Sequence, residues 1–199
     1  MLNLPAGLRD RDAPIRVGVI GAGLFGTNLI GQVERAPGMR AAAVADVVPD
    51  KATAALDAAG VSEAAVATVE GAEEATEAIV AGARVVLDDG AALARTDVDV
   101  VVEATGVPND AARHAHAAID AGTHVVMATV EADTVVGPTL VRLAERAGVT
   151  YSMAYGDQPA LIVELCDWAE TIGLDVVAAG KGNAFLEAYR YGTPDDVFD

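Results

Sequence analysis

VGVIGAGLFG, residues 17–26, decides how the rest of the chain is read. An unbroken apolar run leads into Gly21, Gly23 and Gly26 at the spacing G-x-G-x-x-G, and a segment of helical period runs on from Leu24 to Arg35. Alone, the string fits any tight turn between a strand and a helix. Set between a strand and a helix, each glycine acquires a separate task. Gly21 permits the turn, Gly23 lets a diphosphate approach the backbone because no Cβ stands there, and Gly26 lets the helix lie close to the strand. The first amides of the helix, Leu24 and Phe25 among them, are then free to face phosphate oxygens, with the helix dipole adding to the attraction.

Asp46 supplies the second half of this pattern. It ends the next apolar run, in VADVVPD, twenty residues after Gly26. A carboxylate there accepts hydrogen bonds from the adenosine ribose and repels a 2′-phosphate, which favours NAD over NADP. Arg40 and Lys51 lie too far along the chain to be assigned to such a phosphate. The bland alternative is a strand-turn-helix with Asp46 as a cap. Strand, glycines, helix and acid in register favour dinucleotide binding over it.

The same alternation continues along the chain. Apolar runs of strand length fall at 15–20, 41–45, 85–87, 98–103, 124–127 and 150–153, and they are continuous, as in strands covered on both faces. Helical spacing is read over 24–35, 49–59, 72–81, 109–121 and 134–147. Pro49 and Pro108 suit first-turn positions, while Gly60, Gly82, Gly122 and Gly148 follow helix ends. The acidic, alanine-rich stretch Ser62 to Glu77 reads as a solvated helix face. Strand-helix repetition predicts an α/β fold, a doubly wound parallel (Rossmann) sheet of six strands over 1–154. From Tyr155 the texture changes: a helix opening at Pro159, then LDVVAAGKG as a strand, the start of a second, α+β catalytic domain over 155–199.

Composition narrows the function classes. Thirty acids against thirteen bases give a net charge of −17, which repels nucleic acid and anionic membranes and suits a solvated surface in high salt. No apolar run approaches a membrane span, and the first residues lack a signal-peptide pattern. One cysteine, Cys166, excludes an internal disulfide and fits a reducing compartment, so the cytoplasm is the expected location. His114, His116 and His124 show no metal-ligand spacing and read as surface or core residues, so no metal is expected. Cys166 reads as a packed thiol, and Trp168, Tyr189 and Tyr191 as core or interface.

In an open parallel sheet, ligands lie beyond the carboxyl ends of the strands where the strand order reverses. That places Glu103, Ala104, Thr105 and Gly106 beside the cofactor, with Thr105 and Gly106 against the nicotinamide ribose and Ala128 and Thr129 near the ring.

VVEATGVP, HVVMATVEADTVVGP, YSMAYGDQPALIVELCDWA and VVAAGKGN resemble the homoserine-dehydrogenase-like oxidoreductases, in particular the 1-deoxy-D-xylulose 5-phosphate reductoisomerase-like subgroup that carries a terminal SAF domain. The resemblance spans nearly the whole chain. It implies NAD or NADP as cofactor, with NADPH the choice in the reductoisomerase-like subgroup, and a small hydroxy or carbonyl substrate, phosphorylated or not. Homoserine dehydrogenases carry Ala-Asn-Lys after the fifth strand; here the residues are Ala128, Thr129, Val130 and Glu131, and the missing lysine argues against homoserine. Family members are also longer than this chain. The partner expected besides substrate is a second copy of the chain or a downstream polypeptide. The alternative to an enzyme is a dinucleotide-binding module that needs such a polypeptide for activity.

Carbonyl reduction needs a proton donor at the oxygen. Lys181, flanked by Gly180 and Gly182, is the first candidate, because lysine gives up a proton far more readily than arginine. Asp157 would hold Lys181 or a substrate hydroxyl, or else cap the Pro159 helix. Glu131 is the third candidate, standing where the related dehydrogenases place their lysine.

Overall fold

The structure is a computed structural model and describes residues 4–154, 160–180, Glu187 and Arg190. The chain divides into two compact units, 1–154 and 155–199.

The first unit is built on a parallel sheet of seven strands: β1 (Ile15–Ile20), β2 (Met39–Ala45), β3 (Val66–Thr68), β4 (Arg84–Leu87), β5 (Val100–Glu103), β6 (His124–Met127) and β7 (Tyr151–Met153). Their order across the sheet is β3-β4-β2-β1-β5-β6-β7, every pairing parallel. From β1 the chain passes to β2, goes out to the edge strand β3 and returns to β4 between them, then crosses back to β5 and winds outward through β6 to β7. The reversal falls between β1 and β5, where the fold leaves a crevice at the strands' carboxyl ends.

Among the described residues one α-helix precedes β1 and six lie between the strands. They are α1 (Leu4–Arg9), α2 (Leu24–Arg35), α3 (Pro49–Ala58), α4 (Ala72–Val80), α5 (Gly90–Leu93), α6 (Pro108–Asp120) and α7 (Val130–Ala147). Alternation along each strand sends side chains to opposite faces. Val17, Val19, Val44 and Val86 pack with Ile30, Val33 and Leu56 of α2 and α3. Ile20, Leu87, Val101 and Met127 pack on the other face with Ile79, Ile119 and Leu140 of α4, α6 and α7. Both faces being covered explains why the strands read as unbroken apolar runs.

Helix ends follow the expected chemistry. Pro49 and Pro108 open their helices, and Gly60, Gly82, Gly122 and Gly148 lie just beyond helix ends with positive φ. Three expectations are corrected, the first being the strand count: the sheet has seven strands, not six, the added one being β3. Ser62 to Glu77 is not one helix face: a 3-10 turn at Glu63–Ala65, the edge strand β3 and the start of α4 share it. Three residues are too few to show a period, and β3 exists because β4 offers it an edge. The helix expected from Thr134 starts a turn earlier, at Val130, and accommodates Pro138 within it.

In the second unit, α8 spans Ala160–Thr171. Among the described residues 174–180 form no strand, contrary to the reading of LDVVAAGKG. A strand needs a hydrogen-bonding neighbour, and the described residues of this unit offer none. Trp168, expected in a core or interface, is 62% exposed there. Tyr189 and Tyr191 lie outside the described residues.

Candidate functional site: the crevice between β1 and β5

The loop after β1 is held tightly at two of its glycines and open at the third. Gly21 has φ +101°, and a Cβ there would stand 2.7 Å from the carbonyl oxygen of Ala104 at the end of β5. A Cβ on Gly26 would fall 1.8 Å from the carbonyl oxygen of Gly21, so the first turn of α2 sits against the loop as closely as backbones permit. Around Gly23 a Cβ would meet nothing within 4 Å. Gly23 also occupies the N-cap of α2 without any side-chain cap, and the helix has no acid in its first turn. The leading amides of α2 are therefore left for an external acceptor.

Asp46 joins this loop to the end of β2. Its Oδ2 accepts the N–H of Ala22 at 2.9 Å and its Oδ1 accepts the N–H of Val48 at 2.9 Å. Each carboxylate oxygen has further lone-pair capacity, so the group can still accept from a ligand. Two main-chain bonds fix its orientation before any ligand arrives.

Gly21, Gly23, Asp46, Ala104 and Thr105 line one cavity of 370 Å³. Lys51, which the sequence left unassigned to a 2′-phosphate, lines it too, from the first turn of α3. Arg40 is used elsewhere, its guanidinium donating to the carbonyl of Ile79 at 3.0 Å. Leu24 and Phe25 are exposed at the start of α2, outside the cavity lining.

The ends of β5 and β6 are tied by a buried carboxylate. Glu103 has no solvent exposure. Its Oε1 accepts the hydroxyl of Thr105 at 2.6 Å and the N–H of Thr105 at 3.2 Å, and its Oε2 accepts the hydroxyl of Thr129. The Thr129 hydroxyl oxygen in turn accepts the N–H of Gly106 at 3.0 Å. Ala128 is anchored by donating its N–H to the carbonyl of Glu103 at 2.8 Å. Thr105, Gly106, Ala128 and Thr129 are thus one hydrogen-bonded floor beside the crevice.

His114 completes that floor. It is 8% exposed, lies 3.5 Å from Glu103 through Nδ1 and lines the cavity. Of the surface and core alternatives for this histidine the core one holds, and its place in the inward stripe Ala111, His114, Ala115, Ala118 signals its direction. The other two histidines lie apart from this cavity: His116 pairs with Asp120 at 3.2 Å, and His124 accepts the N–H of Thr150 at 2.9 Å.

Glu131 is exposed in the first turn of α7 and is not part of the cavity lining. Lys181 and Asp157 lie outside the described residues.

Comparison with known proteins places this arrangement. The crystal structure of the WlbA dehydrogenase from Bordetella pertussis, in complex with NADH and UDP-GlcNAcA, is 22% identical with a TM-score of 0.55, covering 80% of this chain and 43% of that one. An oxidoreductase from Agrobacterium radiobacter, in complex with NAD+, L-tartaric acid and magnesium, is 17% identical with a TM-score of 0.59, covering 81% and 41%. Apo scyllo-inositol dehydrogenase from Lactobacillus casei is 17% identical with a TM-score of 0.54, covering 79% and 43%. The chain thus spans well under half the length of these structures, and the likeness is one of fold. None of the curated proteins matches it by sequence. Residues 156–199 match the family model "Oxidoreductase DRL, catalytic domain". Residues 21–154 match the model "Homoserine dehydrogenase, NAD binding domain", which takes in most of the crevice just described, and the chain belongs to that family.

Proposed function

We propose that the crevice binds a nicotinamide dinucleotide for an oxidoreductase that interconverts a hydroxyl and a carbonyl on a small, sugar-like compound, phosphorylated or not. One observation carries this reading: Asp46 is clamped to the glycine loop at Ala22, beside open space at Gly23 and the uncapped start of α2. That is a seat for a diphosphate with a fixed acceptor for the adjoining sugar. The chemistry such a dinucleotide supplies is hydride transfer.

The buried floor of Glu103, Thr105 and Thr129 holds the strand ends on which the nicotinamide end would rest. Asp46 favours NAD over NADP by charge. Lys51 is the cation on the same wall that a 2′-phosphate would meet. Lys181 is assigned the proton at the carbonyl oxygen, with Asp157 to hold it, and Glu131 stands as the third candidate.

Within the family, the match of residues 156–199 to the DRL catalytic domain supports the reductoisomerase-like subgroup. Thr129, Val130 and Glu131 in place of Asn-Lys speak against homoserine as substrate. A dinucleotide-binding module that needs a further polypeptide for activity is the second reading.

Calorimetric titration of residues 1–199 with NAD+ and NADP+ tests the reading. Saturable binding of NAD+, tighter than NADP+, is expected, and binding of neither overturns it. Turnover of a sugar-like alcohol by this chain alone separates the enzyme from the module.

A further inference from the structure

We propose that Asp88, at the end of β4, accepts a hydrogen bond from the exocyclic amino group of the cofactor's adenine, so that the site selects an adenine dinucleotide over its 6-oxo counterpart. The proposal rests on the dinucleotide reading above and names the part of the ligand that reading leaves unrecognised.

The strand order sets out the ligand's path. Diphosphate belongs at the glycine loop after β1, and the ribose at Asp46 after β2, the next strand outward. The base on that ribose points away from the diphosphate, toward the following strand, which is β4. Ala45 pairs with Leu87, and the N–H of Asp46 donates to the carbonyl of Leu87 at 3.2 Å, so Asp46 and Asp88 are neighbours on adjoining strand ends.

Asp88 is the least engaged of the acids on this wall. Asp89 spends a carboxylate oxygen on the N–H of Ala91 at 2.8 Å, capping α5. Asp110 holds Arg113 at 2.9 Å. Asp88 is exposed, lines the 370 Å³ cavity and has no partner among the described residues. Its loop is well fixed. Gly90 is buried so closely that a Cβ would stand 2.5 Å from Ile20 and 2.7 Å from His114. A carboxylate held at the rim of a nucleotide site can exchange its water for a donor on the ligand, and adenine's 6-amino group is one. Hypoxanthine has an oxygen at that position, and two acceptors would then face each other.

The test is calorimetric titration of the whole chain with NAD+ and with nicotinamide hypoxanthine dinucleotide. The wild type is expected to bind NAD+ about tenfold more tightly, the scale of one hydrogen bond to a charged group. Asp88→Ala should bring the two affinities together by weakening NAD+. Asp88→Asn, whose amide can donate to a 6-oxo group, should do so by strengthening the hypoxanthine form. Equal affinities in the wild type, or a preference that survives in Asp88→Ala, would overturn the proposal while leaving dinucleotide binding in place. Binding of neither dinucleotide to the wild type would overturn the dinucleotide reading itself, and this proposal with it.

Discussion

The carboxylate of Asp46 accepts the main-chain N–H of Ala22 at 2.9 Å, so the residue expected to meet the ribose is also a brace for the glycine loop. Binding and local order are therefore coupled at one side chain. Its orientation is set by the protein, which lowers the entropy lost when a ligand docks.

Asp46→Ala should lose both tasks. Stability should fall by about 1 kcal/mol for the freed Ala22 and Val48 amides, and NAD+ affinity by about tenfold or more. Asp46→Asn keeps an acceptor for one amide and removes the charge that repels a 2′-phosphate. It should narrow the gap between NAD+ and NADP+. Urea midpoints and paired titrations check both; an unchanged NAD+/NADP+ ratio in Asp46→Asn would contradict the assignment.

The two glycines make a sharper pair. Gly23 has an ordinary φ of −73° and open space around it, so Gly23→Ala should fold with stability within about 0.5 kcal/mol of wild type. Its methyl would fill the place of the diphosphate, and dinucleotide binding should be lost. Gly26→Ala drives a Cβ into the carbonyl of Gly21 and should destabilise the domain by about 2 kcal/mol or more. Thermal unfolding separates the two. If Gly23→Ala bound NAD+ normally, the diphosphate would not lie there.

The buried floor gives a third prediction. Glu103→Ala would leave the hydroxyls of half-buried Thr105 and buried Thr129 without their shared acceptor, and should cost about 2 kcal/mol. Glu103→Gln keeps one acceptor oxygen and the side chain's shape, and should retain the fold. Since Thr105 lines the cavity, its displacement should weaken dinucleotide binding. Matched unfolding curves and titrations of the two variants check this. Full binding by Glu103→Ala would mean the floor does not order the crevice.

What the sequence disclosed, and what it hid, follow from how local each signal is. The glycine string and Asp46 were legible because β1, its turn and α2 are contiguous and Asp46 ends the following strand. The strands were legible because burial on both faces leaves unbroken apolar runs. The place of Lys51 in the cavity lining is hidden in the sequence because a helix starting at Pro49 returns it to the strand end. Asp88 repeats the pattern of Asp46, an acid closing an apolar run, and was overlooked because no glycine string draws attention to β4. β3 is too short to carry any period. Glu103 and His114 are far enough apart that only the packing of α6 on β5 shows them as a pair.

The last prediction concerns pH and lies at the other end of the sheet. Arg16 at the start of β1 donates to Asp99 from its main-chain N–H at 2.7 Å and from its guanidinium at 2.9 Å, and also pairs with Asp97. Burial alone would raise the carboxyl pKa of Asp99, but hydrogen bonds and charge from Arg16 hold it below its ordinary value of 3.8. A carboxylate with a depressed folded-state pKa contributes its full stability above the unfolded value and loses it as pH falls through the folded one. The pair should therefore stabilise the domain at neutral pH and begin to fail below about pH 4. Asp99→Asn should lower the urea midpoint at pH 7 and flatten its further decline in acid. Because Arg16 and Asp99 sit at the amino ends of their strands, away from the crevice, NAD+ affinity at pH 7 should be unchanged in this variant. A loss of binding without a loss of stability would show that the two ends of the sheet are coupled.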